Sequence, residues 1–169
     1  MTASVRPATA DDIAFLWEML YEASDAAANG VRDVAALRLH PELARYVEGW
    51  GARSDVGVVA CDETGTPIGA SWLRLLTGEA KGYGYVDDET PEIAIAVLPT
   101  YRGRGLGERM LRELLEVAAG RYESVSLSVR DENPARRLYE RIGFRAVGGG
   151  ESGDAVTMTR ATGRLPPRR

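Results

Sequence analysis

The chain has 169 residues, 44% of them hydrophobic and 27% charged, with a formal net charge of −4. That length fits one domain of about 100–200 residues with a real core, and the acidic balance argues against a dedicated nucleic-acid binder, which usually shows a basic excess. A single cysteine, Cys61, and a single histidine, His40, exclude an intramolecular disulfide, a cysteine-rich zinc site and a paired-histidine metal site. No run approaches the ~20 apolar residues of a membrane-spanning helix. The opening MTASVRPATADD lacks the apolar segment of a signal peptide, so the expected location is the cytoplasm. No G-x-S-x-G elbow is present, which removes the common hydrolase arrangement.

Residues 4–7 read as a short edge strand. A helix is expected over residues 11–27, capped by Thr9 or Asp11, with Ile13, Leu16, Trp17, Leu20 and Tyr21 on one apolar stripe and Asn29-Gly30 as its breaker. A second helix is expected over residues 41–50. His40 stands before Pro41 at its start and reads as a capping-region residue. The pattern then changes to strands at 56–61 and 68–76, joined by a turn at 62–65, as an antiparallel hairpin. Cys61 reads there as a small core residue. Residues 77–88, rich in Gly, Tyr and Asp, read as a loop or a strand extension.

Next comes a strand at 92–98, a tight turn to Gly107, a helix over 106–119 stopped by Gly120, and a strand at 124–129. A right-handed crossover makes those two strands parallel. A short helix over 134–141 carries Ala135, Leu138, Tyr139 and Ile142 on its inner stripe and stops at Gly143. Strands at 144–147 and 155–160, joined by the turn GGGESGD, complete a domain of residues 1–160. The tail 161–169, ATGRLPPRR, reads as disordered.

The turn VLPTYRGRGLGE carries the clearest chemistry. Gly103, Gly105 and Gly107 precede or open a helix, where backbone N–H groups can approach a bulky anion without a Cβ in the way. The helix start adds unpaired donors and a partial positive charge, a setting suited to a pyrophosphate. Arg102 and Arg104 add formal charge. The plainer reading is a tight strand-to-helix turn with solvated arginines. A P-loop is excluded because G-x-x-x-x-G-K-[ST] is absent, and the dinucleotide form fails because the glycines run G-x-G-x-G.

R-G-R-G-L-G resembles the [RQ]-x-x-G-x-[GA] acyl-CoA signature of the GNAT N-acetyltransferase superfamily. I-A-V-L-P resembles that family's fourth strand, and N-P-A-R-R-L-Y-E-R-I-G-F its last conserved block. The resemblance is strongest over residues 92–144. It implies an α+β fold: a mixed, largely antiparallel sheet whose fourth and fifth strands splay apart, flanked by about four helices. It implies acetyl-CoA as cosubstrate and no metal. Val97 and Leu98 would offer backbone groups to the pantetheine. Arg102, Gly103, Arg104, Gly105, Leu106, Gly107 and Glu108 would cradle the pyrophosphate.

Tyr139 matches the tyrosine that protonates the departing CoA thiolate; on residue pattern alone it is also a core tyrosine. Asn133 matches a cofactor-binding asparagine, although it stands six residues before the tyrosine where the family has seven, and Asn-Pro is equally an N-cap. Glu92 is the candidate general base, ahead of Asp87, Asp88 and Glu89. Its parity along the strand is opposite to the family's usual acidic position, so a β-bulge would have to turn it inward; otherwise it is a solvent-facing edge carboxylate. Ser128, where a subgroup carries its base, cannot serve.

The implied activity is direct acetyl transfer to a primary amine in a ternary complex. The alternatives are a catalytically idle acyl-CoA-binding or sensor domain and a nucleotide-binding regulatory domain. The partners expected are a small-molecule or peptide amine, with no nucleic acid and no membrane, and the fold allows a homodimer. The acceptor itself is not legible.

Overall fold

The computed structural model describes residues 2–149 and 154–163. Seven strands form a mixed sheet in the order β1-β2-β3-β4-β5-β7-β6, with five α-helices among the described residues. The pairs β1–β2, β2–β3, β5–β7 and β6–β7 are antiparallel, and β4–β5 is parallel. This is the expected mixed, largely antiparallel α+β architecture. No described helix is long and apolar enough to cross a membrane. The chain divides into two compact units, Met1–Arg74 with Ala94–Leu114, and Leu75–Ile93 with Leu115–Arg169.

In the first unit, β1 (Ser4–Pro7) is the expected edge strand. Thr9 and Asp12 then form a reciprocal capping box, with the Asp12 carboxylate accepting the Thr9 N–H at 2.8 Å. A 3-10 turn leads into α1 (Ile13–Ala23), which buries Leu16, Trp17, Met19 and Leu20. Arg6 closes on the same carboxylate through two 2.8 Å bonds, and these hold Asp12 below the usual carboxylate range. The hairpin of β2 (Val56–Cys61) and β3 (Pro67–Arg74) is nearly all buried.

The helix expected over 11–27 ends four residues early. Asp25 takes the left-handed conformation at φ 51°. Its N–H bonds Glu22 O at 3.2 Å and the Ala26 N–H bonds Tyr21 O at 3.2 Å, a Schellman closure made without glycine. The helix expected over 41–50 is only one turn, α3 (Pro41–Ala44). Beyond it, side chains of β3 take backbone carbonyls: Trp72 Nε1 bonds Tyr46 O at 2.9 Å, and Arg74 Nη1 bonds the oxygens of Arg45 and Glu48. A further turn, α2 (Val34–Leu37), is capped by Asp33, whose carboxylate accepts the Ala36 N–H at 2.8 Å.

β4 (Glu92–Val97) leads through a 3-10 turn at Pro99–Tyr101 to α4 (Leu106–Ala118). The stripe Met110, Leu111, Leu114, Leu115 and Ala118 is fully buried. In the second unit, β5 (Ser124–Arg130) and β7 (Ala155–Ala161) pair along their whole length, and β6 (Arg145–Gly149) forms the edge. α5 (Ala135–Ile142) stops at Gly143, φ 108°, as expected. Arg160, itself buried, closes that end by donating from Nε to Ile142 O at 2.8 Å. Residues 150–153 of the expected glycine-rich turn and residues 164–169 of the expected tail lie outside the described residues.

Candidate active site

The first unit holds the glycine-rich turn. Gly103 and Gly105 adopt φ of 76° and 78°, a backbone path that L side chains rarely take. A Cβ built on either would meet nothing within 4 Å among the described residues, so the backbone stands bare of them on its outer side. The helical ladder starts with Arg109 N–H on Gly105 O at 3.1 Å. The N–H groups of Gly105, Leu106, Gly107 and Glu108 therefore precede the first intrahelical bond. The Glu108 carboxylate turns back along α4 to Arg112, at 3.0–3.2 Å, so Glu108 offers the turn its backbone rather than its charge.

The two arginines are held differently. Arg102 donates from Nε to Val97 O at 3.0 Å and from Nη2 to Glu22 Oε2 on α1 at 3.0 Å. Arg104 lies over the Tyr101 ring, 5.3 Å from its centroid. At the end of β4 the Leu98 N–H is bonded to Ile68 O at 2.9 Å. Helix-terminal N–H groups and two arginines thus fall within one stretch of seven residues, the materials from which proteins build anion sites.

The second unit holds Glu92, Asn133 and Tyr139. Glu92 is 4% exposed, so it is no solvent-facing edge carboxylate. It is in register with Ser126 of β5, and its Oε1 accepts the Gly84 N–H at 2.9 Å. Ser126 is fully buried, and its hydroxyl makes no hydrogen bond among the described residues. Tyr139 is 6% exposed and packs edge-on against Phe144, with ring centroids 6.0 Å apart. Burial pushes its phenol up to about 12. Asn133 caps α5, its Oδ1 accepting the Ala135 N–H at 2.9 Å. It also lines a surface cavity of about 450 Å³ with Asp131, Arg136, Arg137 and Glu140.

Gly84 and Ser126 lie beside Glu92 without any signal in the sequence that marks them. Neither sits in a recognisable motif. Ser126 belongs to the alternation of serines along β5, a pattern that marks a polar face without saying what it meets.

The chain belongs to the acetyltransferase (GNAT) family, whose model matches residues 17–144. It is 45% identical over 76 residues to the N-alpha-acetyltransferase RimI of Mycobacterium tuberculosis, a match covering 41% of this chain and 47% of that protein. It is 43% identical over 61 residues to the ribosomal protein bS18-alanine N-acetyltransferase of Haemophilus influenzae, covering 36% and 42%. The chain thus spans less than half the length of these two curated relatives. Among solved structures, it superposes on the spermidine N-acetyltransferase of Vibrio cholerae in complex with CoA and spermine with a TM-score of 0.66. That match has 18% identity and covers 95% of each chain, a likeness of fold.

Proposed function

We propose that this protein is an enzyme that transfers an acetyl group from acetyl-CoA to a primary amine, by direct attack in a ternary complex. The observation that carries this reading is the bare turn at Gly103 and Gly105, running into the donor-rich start of α4, in a chain of this family. Arg102, Gly103, Arg104, Gly105, Leu106, Gly107 and Glu108 would bind the pyrophosphate. Arg102 would exchange Glu22 for a phosphate oxygen. Val97 and Leu98 would offer backbone groups to the pantetheine, Leu98 by yielding the Ile68 O that its N–H now holds or by sharing the carbonyl that accepts the Tyr101 N–H, and Asn133 would contribute its amide N–H2 to the cofactor. Because acetyl-CoA is an intracellular metabolite, the reaction would run in the cytoplasm.

In the chemical step the amine nitrogen bonds to the thioester carbonyl carbon and the C–S bond breaks. Glu92 takes the proton that the nitrogen must lose, and Tyr139 gives one to the leaving thiolate sulfur. Burial, by pushing the Tyr139 phenol up to about 12, favours the protonated form that can donate. A carboxylate as base matters more for a lysine-like amine, pKa ~10.4, than for an α-amine, pKa ~8. Given the two curated relatives, peptides with a free α-amine come first in the acceptor panel.

The test is thiol release from acetyl-CoA across a panel of α-amino peptides, polyamines and amino sugars, with calorimetry of acetyl-CoA binding on the same preparation. Binding with amine-dependent thiol release is the expected result. Binding without turnover would convert the reading to an idle acyl-CoA sensor, and absence of binding would overturn it.

A further inference from the structure

The 82–85 segment lies against β5 at a distance that only glycine permits. A Cβ on Gly84 would stand 2.8 Å from the Leu127 carbonyl carbon, 2.9 Å from Glu92 Oε1 and 3.0 Å from Ser128 N. Two of those three atoms are backbone and cannot swing aside. Gly84 is not among the residues with positive φ, so the backbone conformation does not require glycine there; the close approach does. That approach brings the Gly84 N–H within 2.9 Å of the Glu92 carboxylate, a buried bond.

We propose that Gly84 is a positioning residue: by coming close to β5 without a side chain, it delivers a backbone N–H that fixes the Glu92 carboxylate as the base of the reaction. This rests on the transferase reading above. A fixed donor on one oxygen sets the orientation of the carboxylate and favours its charged form, the form that can take a proton.

The ionisable groups of the same stretch make contacts of their own. Tyr85 donates to Asp88 Oδ1 at 2.6 Å, which raises the Tyr85 phenol. Asp87 is held low by the Thr90 hydroxyl and by the Glu89 N–H. Lys81 Nζ sits 4.3 Å from the Tyr85 ring centroid. On the β5 side, Glu92 is in register with the uncharged Ser126.

The experiment follows the ¹³C resonance of the Glu92 carboxylate through a pH titration, in the parent and in Gly84→Ala. Loss of a bond to the charged form raises the Glu92 midpoint by about one to two pH units. The acidic limb of kcat/KM, measured with the best amine of the panel, moves up with it. An unchanged midpoint in a folded Gly84→Ala protein overturns the proposal, as does a midpoint that moves while the limb stays put. Should Gly84→Ala not fold, Glu92→Gln reads the same bond from the other side. The Gly84 amide proton then shifts upfield and exchanges faster, and an unmoved resonance overturns the hold. Absence of thiol release with every amine would defeat the transferase reading and with it the purpose assigned to Gly84. The NMR titration, which needs no acceptor, reports separately whether the hold exists.

Discussion

The two groups of candidate residues are made of opposite materials. The turn of the first unit is exposed backbone: glycines at positive φ, helix-terminal N–H groups and two arginines with their heads in reach of water. Two candidates of the second unit, Glu92 and Tyr139, are instead buried side chains, 4% and 6% exposed, with a glycine jammed against β5; the third, Asn133, is exposed at the start of α5. The first needs glycine for its path, since a Cβ there would touch none of the described residues. The second needs glycine for its closeness. Binding a multiply charged anion suits many weak exposed donors, whereas moving a proton suits a few groups whose ionisation burial controls.

The largest expected effect tests the exposed half. Gly105→Val places a branched Cβ where the bare backbone faces the anion, and strains a residue at φ 78°. Losing two bonds to charged oxygen, each ~1.5–3 kcal/mol, lowers acetyl-CoA affinity by about 10²–10⁴. Because none of the described residues touches that Cβ, stability falls only by the cost of the strained conformation, ~1–2 kcal/mol. Calorimetry and melting on one sample check both halves of the statement. Unchanged affinity in the folded variant would remove the anion role from this turn.

Tyr139→Phe tests the buried half in the same two measurements, with the pattern inverted. Acetyl-CoA affinity should change little, and turnover should drop by ~10²–10⁴ if proton donation limits the rate. A second signature comes from stability. The Tyr139 pKa in the fold is about 12, above the ~10 of an unfolded tyrosine. Between those values the folded state holds the proton more tightly than the unfolded chain, so stability is fully present below pH ~10 and declines as pH rises towards 12. The whole shift amounts to about 2–3 kcal/mol. Phenylalanine has no proton to lose, so Tyr139→Phe should lack this part of the alkaline decline. Denaturant melts at pH 9 and pH 11.5 would show it, and equal declines in both proteins would mean that burial does not shift this phenol.

The difference between the halves also explains what was legible in the sequence. The exposed turn is a local object: its glycines, arginines and helix start lie within seven residues, and all are visible in R-G-R-G-L-G. The stop of α5 at Gly143 is local in the same way. The stop of α1 is local too, yet it falls before the expected Asn29-Gly30 breaker because Asp25 rather than a glycine takes the left-handed conformation. The short α3 was hidden because Trp72 and Arg74, about thirty residues away in the chain, take the carbonyls beyond its last turn. The burial of Glu92 was hidden for the same reason. Strand parity counted from Val97 speaks of faces, while the partner that accommodates the carboxylate is the N–H of Gly84 in what reads as an ordinary loop.

The smallest expected effect sharpens the exposed half. Arg102 is held by Glu22 in an ion pair whose side chains are 54% and 30% exposed. Such a pair contributes ~0–1 kcal/mol, so its release costs little. If Arg102 binds the pyrophosphate as proposed, the Glu22 carboxylate competes with a phosphate for its guanidinium and repels the incoming anion as well. Glu22→Gln should therefore tighten acetyl-CoA binding, by at most about fivefold at low salt, and raise the association rate in the same direction. The gain should shrink as ionic strength approaches 1 M, where screening acts over only ~3 Å. Weaker binding by the variant would show instead that Glu22 orients Arg102 for the phosphate, making it part of the anion site rather than its competitor.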